Sequence, residues 1–192
     1  AGYCRGKHTF DWNYDRHLEL MFNWHVINYY LIACHFIDYR GETKTIRIEE
    51  PVSAGGVVYR IHDGIIETVL CGRDTPVRWS LAKGTPDADE TLEQTAVREV
   101  REETGLDVEL LEPIDNIEYW FSDKNAGIKY HKTVYFYLMA MVGGSTDRHD
   151  VEFDVVQWFE LSDALQRLNY DNEVQVLKRA SRLIELRIGE GN

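Results

Sequence analysis

The spacing of apolar residues changes along the chain, and each change marks an element. Residues 52–61 and 65–71 are mostly aliphatic around His62-Asp63-Gly64, which predicts two strands joined by a turn. Gly55 and Gly56 inside the first strand allow close approach by another backbone or a ligand. A short third strand is predicted over residues 77–81. The period then lengthens: Leu92, Ala96 and Val100 recur every fourth residue as the buried rail of a helix. Thr91 with Gln94 reads as a capping-box start, and Gly105 as the stop. Residues 107–111 and 114–121 predict strands and 122–127 a hairpin loop. Residues 128–142, dense in β-branched and aromatic side chains and free of breakers, predict a central strand, and 155–159 one more. Helices follow over 161–168 and 172–186, the second with Val174, Leu177, Ala180 and Ile184 on one face. Strands interleaved with helices on both sides predict an α/β (α+β) fold, an α-β-α sandwich around a mixed β-sheet.

Residues 1–50 read as an N-terminal extension of uncertain structure and 51–192 as the domain proper. The stretch 20–39 is aromatic and aliphatic, but Asn23, His25, Asn28, His35 and Asp38 interrupt it, which argues against a membrane span. It predicts a docked helix or strand pair, packed on the domain or across a homodimer interface. His8, His17, His25 and His35 show no established ligand spacing and are assigned no chemistry. Residues 40–51 alternate and end in Pro51, reading as an extended connection.

The helix after Thr91 carries the candidate chemistry. At about 100° per residue, Glu99, Glu102 and Glu103 fall within an arc of roughly 100° beside the apolar rail. Like charges so close repel, and near a buried face each tends to take up a proton unless a cation compensates. A hard divalent ion such as Mg²⁺ suits these oxygens and works by holding phosphates.

The 23 residues from Gly84 to Leu106 resemble the Nudix box, G-x(5)-E-x(7)-R-E-U-x-E-E-x-G-U with U aliphatic. They match it at Gly84, Glu90, Arg98, Glu99, Val100, Glu102, Glu103, Gly105 and Leu106. An ordinary solvated acidic helix would have no reason to carry both glycines and the Arg-Glu step. The resemblance covers residues 52–187 and implies the Nudix α-β-α fold. It also implies that Glu99, Glu102 and Glu103, with the Gly84 carbonyl, hold Mg²⁺, Mn²⁺ being an alternative. Arg98 would orient the glutamates, and Glu90 support the loop and helix geometry. Glu152, six residues before Trp158, stands where related enzymes often carry a loop glutamate that binds metal or acts as base; one exposed acid among Asp147, Asp150 and Asp154 is an equal alternative.

Composition narrows the partners. The formal net charge of −12 argues against a broad electrostatic grip on nucleic acid, while leaving polyphosphates bound through metal and local cations. Three scattered cysteines, Cys4, Cys34 and Cys71, suit a reducing, cytoplasmic setting, and no secretory leader pattern is visible.

For the substrate, Trp79-Ser80-Leu81-Ala82-Lys83-Gly84 resembles the Trp-x-Leu-Pro-Lys-Gly approach to the box in Nudix enzymes acting on dinucleoside polyphosphates, with Ala82 in place of proline. Tyr119 and Lys132 flank the hairpin where such hydrolases place residues contacting base and phosphates, and Arg73 and Arg78 are further phosphate candidates. The region beyond the box lacks the proline expected of ADP-ribose pyrophosphatases. The expectation is therefore hydrolysis of a nucleoside diphosphate linked to another moiety, with dinucleoside polyphosphates first and triphosphates, oxidised ones included, second. A regulatory module on the same fold is a rival, although such modules usually carry a degraded box.

Overall fold

The computed structural model describes residues 33–37 and 43–190. The chain divides into two compact units, one running through Glu49 and including Ser122–Lys129, the other comprising Glu50–Phe121 and the chain from Tyr130 onward. His8, His17, His25 and the predicted docking of the apolar stretch before Ala33 lie outside the described residues.

In the first unit β1 (Ala33–Ile37) pairs antiparallel with β2 (Thr43–Glu49), Cys34 opposite Ile46. The alternation expected to give an extended connection thus makes a paired strand. Arg47 N–H also donates to Gly127 O at 3.3 Å.

The second unit runs β3 (Val52–His62), β4 (Ile65–Arg73), β5 (Arg78–Ser80), β6 (Ala82–Gly84), α1 (Leu92–Thr104), β7 (Leu106–Asp123), β8 (Ile128–Gly144), β9 (Val155–Glu160), α2 (Leu161–Arg167) and α3 (Asp171–Glu190). The hairpin tip between β7 and β8 belongs to the first unit. Parallel pairing of β3 with β8, Gly55 opposite Phe136, forms the centre of the sheet, while β4 runs antiparallel to β3, β5 and β9. β6 lies antiparallel on β3, with Gly55 opposite Lys83. A side chain at Gly55 would start 2.1 Å from Ala82 O, so glycine there is what lets β6 and the residues after it reach the sheet.

Period-two alternation sends side chains to two cores. Val57, Leu70, Val134, Phe136 and Leu138 meet Leu177, Ala180 and Ile184 of α3 on one face. Ala54, Val58, Val69, Tyr137 and Met139 meet Ala96 and Val100 of α1 on the other. The sandwich predicted from the sequence is present, and the helical rails face it.

Two expectations need correction. The strands read over 107–111 and 114–121 are one, because β7 runs unbroken through Pro113 with β8 as its ladder partner. A proline's missing N–H is tolerated where only one side of a strand must be paired. The strand read over 77–81 is shorter, β5 at Arg78–Ser80; it ends before the fully buried Leu81, after which a further short strand, β6, follows.

Candidate active site

Helix α1 begins as its sequence dictates. Thr91 accepts from Gln94 N–H at 3.3 Å and Gln94 Oε1 returns to Thr91 N–H at 2.9 Å; Gly105 closes the helix with φ 72°. Fixed at both ends, the helix holds Arg98 at the centre of a charge network. The guanidinium grips Glu90 with two nitrogens, at 2.7 and 2.9 Å, and donates to Glu99 at 2.9 Å, Glu102 at 3.0 Å and the carbonyl of Thr85 at 3.0 Å. The resulting hydrogen bonds hold the Glu90 carboxyl down at about 2, Arg98 contributing most and the Asp87 N–H next. The loop before the helix and the acidic face of the helix are thereby tied to one cation.

Glu103 sits one turn further and is only 3% exposed. Burial pushes its carboxyl up to about 8, opposed by the Lys83 N–H that donates to it at 2.9 Å and by the Lys83 charge. Glu99 is also raised, chiefly by burial, with Arg98 opposing. A side chain at Gly84 would start 2.0 Å from the Glu99 carboxyl carbon, so only glycine lets the backbone of β6 lie against that carboxyl. Among the described residues no three His, Cys, Asp or Glu side chains converge ready to enclose a metal ion. Arg98 carries Glu99 and Glu102, while Glu103 is held by the backbone of β6. The donor set nonetheless fits a hard divalent cation: three carboxylates along one helix face, two with raised pKa, beside a glycine whose carbonyl can approach.

Next to this face lies a cavity of about 470 Å³. Of the residues singled out in the sequence, Glu103, Glu152, Tyr119, Arg73 and Arg78 line it; Glu99, Glu102, Arg98 and Lys132 do not. Lys132 stands on β8, its pKa lowered by burial and then by the charge of Lys83. Two of the cavity's arginines have acidic partners: Arg73 meets Glu152 Oε1 at 2.7 Å, and Arg78 is paired with Asp74. Lys83, Tyr170 and Glu173 are among the lining residues to which sequence reasoning assigned no role. Lys83 was visible beside Gly84, but Glu173 approaches it from 90 positions away in sequence, a contact no local pattern shows.

A mixed sheet between helices, with an arginine-tied acidic helix packed against a short strand that ends in a glycine, defines a Nudix-type architecture. The NUDIX domain model matches residues 50–180, and the chain belongs to that family. It is 40% identical over 152 residues to a Mycobacterium tuberculosis protein provisionally named mutator protein MutT4, covering 76% of this chain and 60% of that protein. An 8-oxo-(d)GTP phosphatase of Mycolicibacterium smegmatis is 29% identical over 118 residues, covering 62% of this chain and 34% of the other. The chain thus spans about 60% and about one third of these relatives' lengths. The crystal structure of the C. elegans Ap4A hydrolase superposes with a TM-score of 0.54 at 27% identity, covering 71% of this chain and 99% of that one.

Proposed function

We propose that this chain hydrolyses a phosphoanhydride bond in a nucleoside diphosphate linked to another moiety, dinucleoside polyphosphates first, using Mg²⁺ or alternatively Mn²⁺. The observation carrying the reading is adjacency: the carboxylate face of α1 meets, at Glu103, a cavity that also presents Arg73, Arg78 and the ring of Tyr119. Glu99, Glu102 and Glu103, with the Gly84 carbonyl, would hold the cation, which would neutralise phosphate oxygens and orient a water. Arg98 orients two of these carboxylates through its hydrogen bonds to Glu99 and Glu102. Arg73 and Arg78 meet distal phosphates by giving up the carboxylates they now hold, and Tyr119 stacks on a base. Glu152, which lines the same cavity as Glu103, can take a proton from water or join the cation's ligands.

Hydrolysis of oxidised nucleoside triphosphates is the second reading, favoured by the name of the Mycolicibacterium smegmatis relative. A substrate panel with product chromatography, run with Mg²⁺ and with chelator, separates the two. Diadenosine tetraphosphate should be cleaved only with metal. Cleavage confined to triphosphates would move the assignment to the second reading, and no cleavage of any nucleotide would end the hydrolase proposal. In the same assay Glu102→Gln should abolish turnover and leave the melting temperature unchanged, because this exposed side chain supplies charge and little packing.

A further inference from the structure

Glu173 in the first turn of α3 is 2% exposed. Its Oε2 accepts from Leu81 N–H at 2.9 Å and its Oε1 stands 3.4 Å from Lys83 Nζ. The Lys83 backbone N–H, by contrast, donates to Glu103 from α1. The three residues Leu81 to Lys83 are therefore clamped by one carboxyl from each helix layer. The Lys83 ammonium also bonds the Leu81 carbonyl at 3.4 Å, and Lys83 lines the same cavity as Glu103. Removing the acid of a buried ion pair leaves a cation that must find another partner. Glu103, which shares this cavity and already bonds the Lys83 backbone, is an acid open to it, and is also the carboxylate through which the acidic helix opens onto the cavity.

We propose that Glu173 is a positioning residue that holds the Lys83 ammonium away from Glu103, so that Glu103 is free to bind a divalent cation. The inference rests on reading Glu103 as a metal ligand. Without Glu173, Lys83 would neutralise Glu103 and compete with the incoming ion for the same oxygens. Partners one step removed from a ligand commonly change metal affinity by about 10- to 100-fold.

The test is Mn²⁺ binding to the purified metal-free chain, followed by electron paramagnetic resonance. It compares the parent with Glu173→Gln, Lys83→Met and the double variant. Glutamine keeps an oxygen for the Leu81 N–H and removes only the charge. Glu173→Gln should weaken Mn²⁺ binding about tenfold in the parent background and leave it unchanged in the Lys83→Met background. An equal loss in both backgrounds would mean that Glu173 acts through its own charge, and no loss in either would mean that it acts on neither; both overturn the proposal. Should Glu173→Gln not fold, Lys83→Met/Glu173→Leu replaces the whole pair with apolar groups and should bind Mn²⁺ as Lys83→Met does; weaker binding overturns the proposal. Mn²⁺ affinity indifferent to Glu103→Gln would overturn the ligand reading itself, a result distinct from failure of the Glu173 comparison.

Discussion

At the scale of single residues, the energetics concentrate on Glu103. Its pKa in the fold, about 8, lies above the ordinary value of 4.5, so the fold favours the protonated form. That contribution to stability is complete below about pH 4.5 and is lost as the pH rises through about 8. In chelator, the melting temperature should therefore decline between those limits by more than in Glu103→Gln, which cannot ionise; added Mg²⁺ should restore part of the loss at pH 8.5. Parallel pH profiles for parent and variant would show that Glu103 is not the titrating group. Tyr119 invites a different measurement, because it lines the cavity from β7 and is no part of the acidic helix. Loss of a stacked ring costs about 1–3 kcal/mol, or roughly 5- to 150-fold. Tyr119→Ala should raise KM for diadenosine tetraphosphate by that order and change kcat little, whereas equal losses on every substrate would mark the ring as structural. The helical carboxylates could be read from the sequence because their spacing is local. The partners of Arg73 and Lys83 could not, since Glu152 and Glu173 arrive from distant parts of the chain.

At the scale of elements, α1 was legible to the residue because its caps are written in neighbouring positions, Thr91 with Gln94 and Gly105 after Thr104. β7 was misread because Pro113 breaks most strands, and no local pattern tells where only one ladder is required. What the sequence did not show about Gly105 is that the helix stop is also a docking point. Ser145 N–H donates to Gly105 O at 3.1 Å and Asp150 N–H to Glu102 O at 2.9 Å, so the loop leading to Glu152 rests on the end of α1. A side chain at Gly105 would combine a positive φ with a start 2.3 Å from Ser145 O. Gly105→Ala should cost on the order of 2–3 kcal/mol and lower kcat by displacing that loop. Gly127→Ala has a similar φ of 67° but open space around it, and should cost only about 1 kcal/mol. Equal melting-temperature losses for the two variants would show that backbone strain alone, without the loop contact, accounts for the effect.

At the scale of the whole molecule, the question is how a chain of net charge −12 admits a polyanion. The cavity does not reverse the sign: Arg73, Arg78 and Lys83 face Asp74, Glu103, Glu152 and Glu173, so its cations are matched by acids. Each cation is available at contact range, once its acid is exchanged for a phosphate, but offers no long-range attraction. The net negative charge therefore governs the approach, and at low salt its reach extends over about 30 Å, contracting to about 8 Å at physiological ionic strength. For diadenosine tetraphosphate at fixed free Mg²⁺, kcat/KM should rise severalfold as ionic strength is raised from about 10 to about 150 mM, because screening removes repulsion between like-charged partners faster than it weakens the short contacts inside the cavity. A protein that steers polyphosphates with an open basic surface shows the opposite slope. If kcat/KM instead falls over this range in stopped-flow measurements, the arginines act as a positive funnel ahead of contact, and the paired arrangement of Arg73 with Glu152 and Arg78 with Asp74 does not describe the protein that meets its substrate.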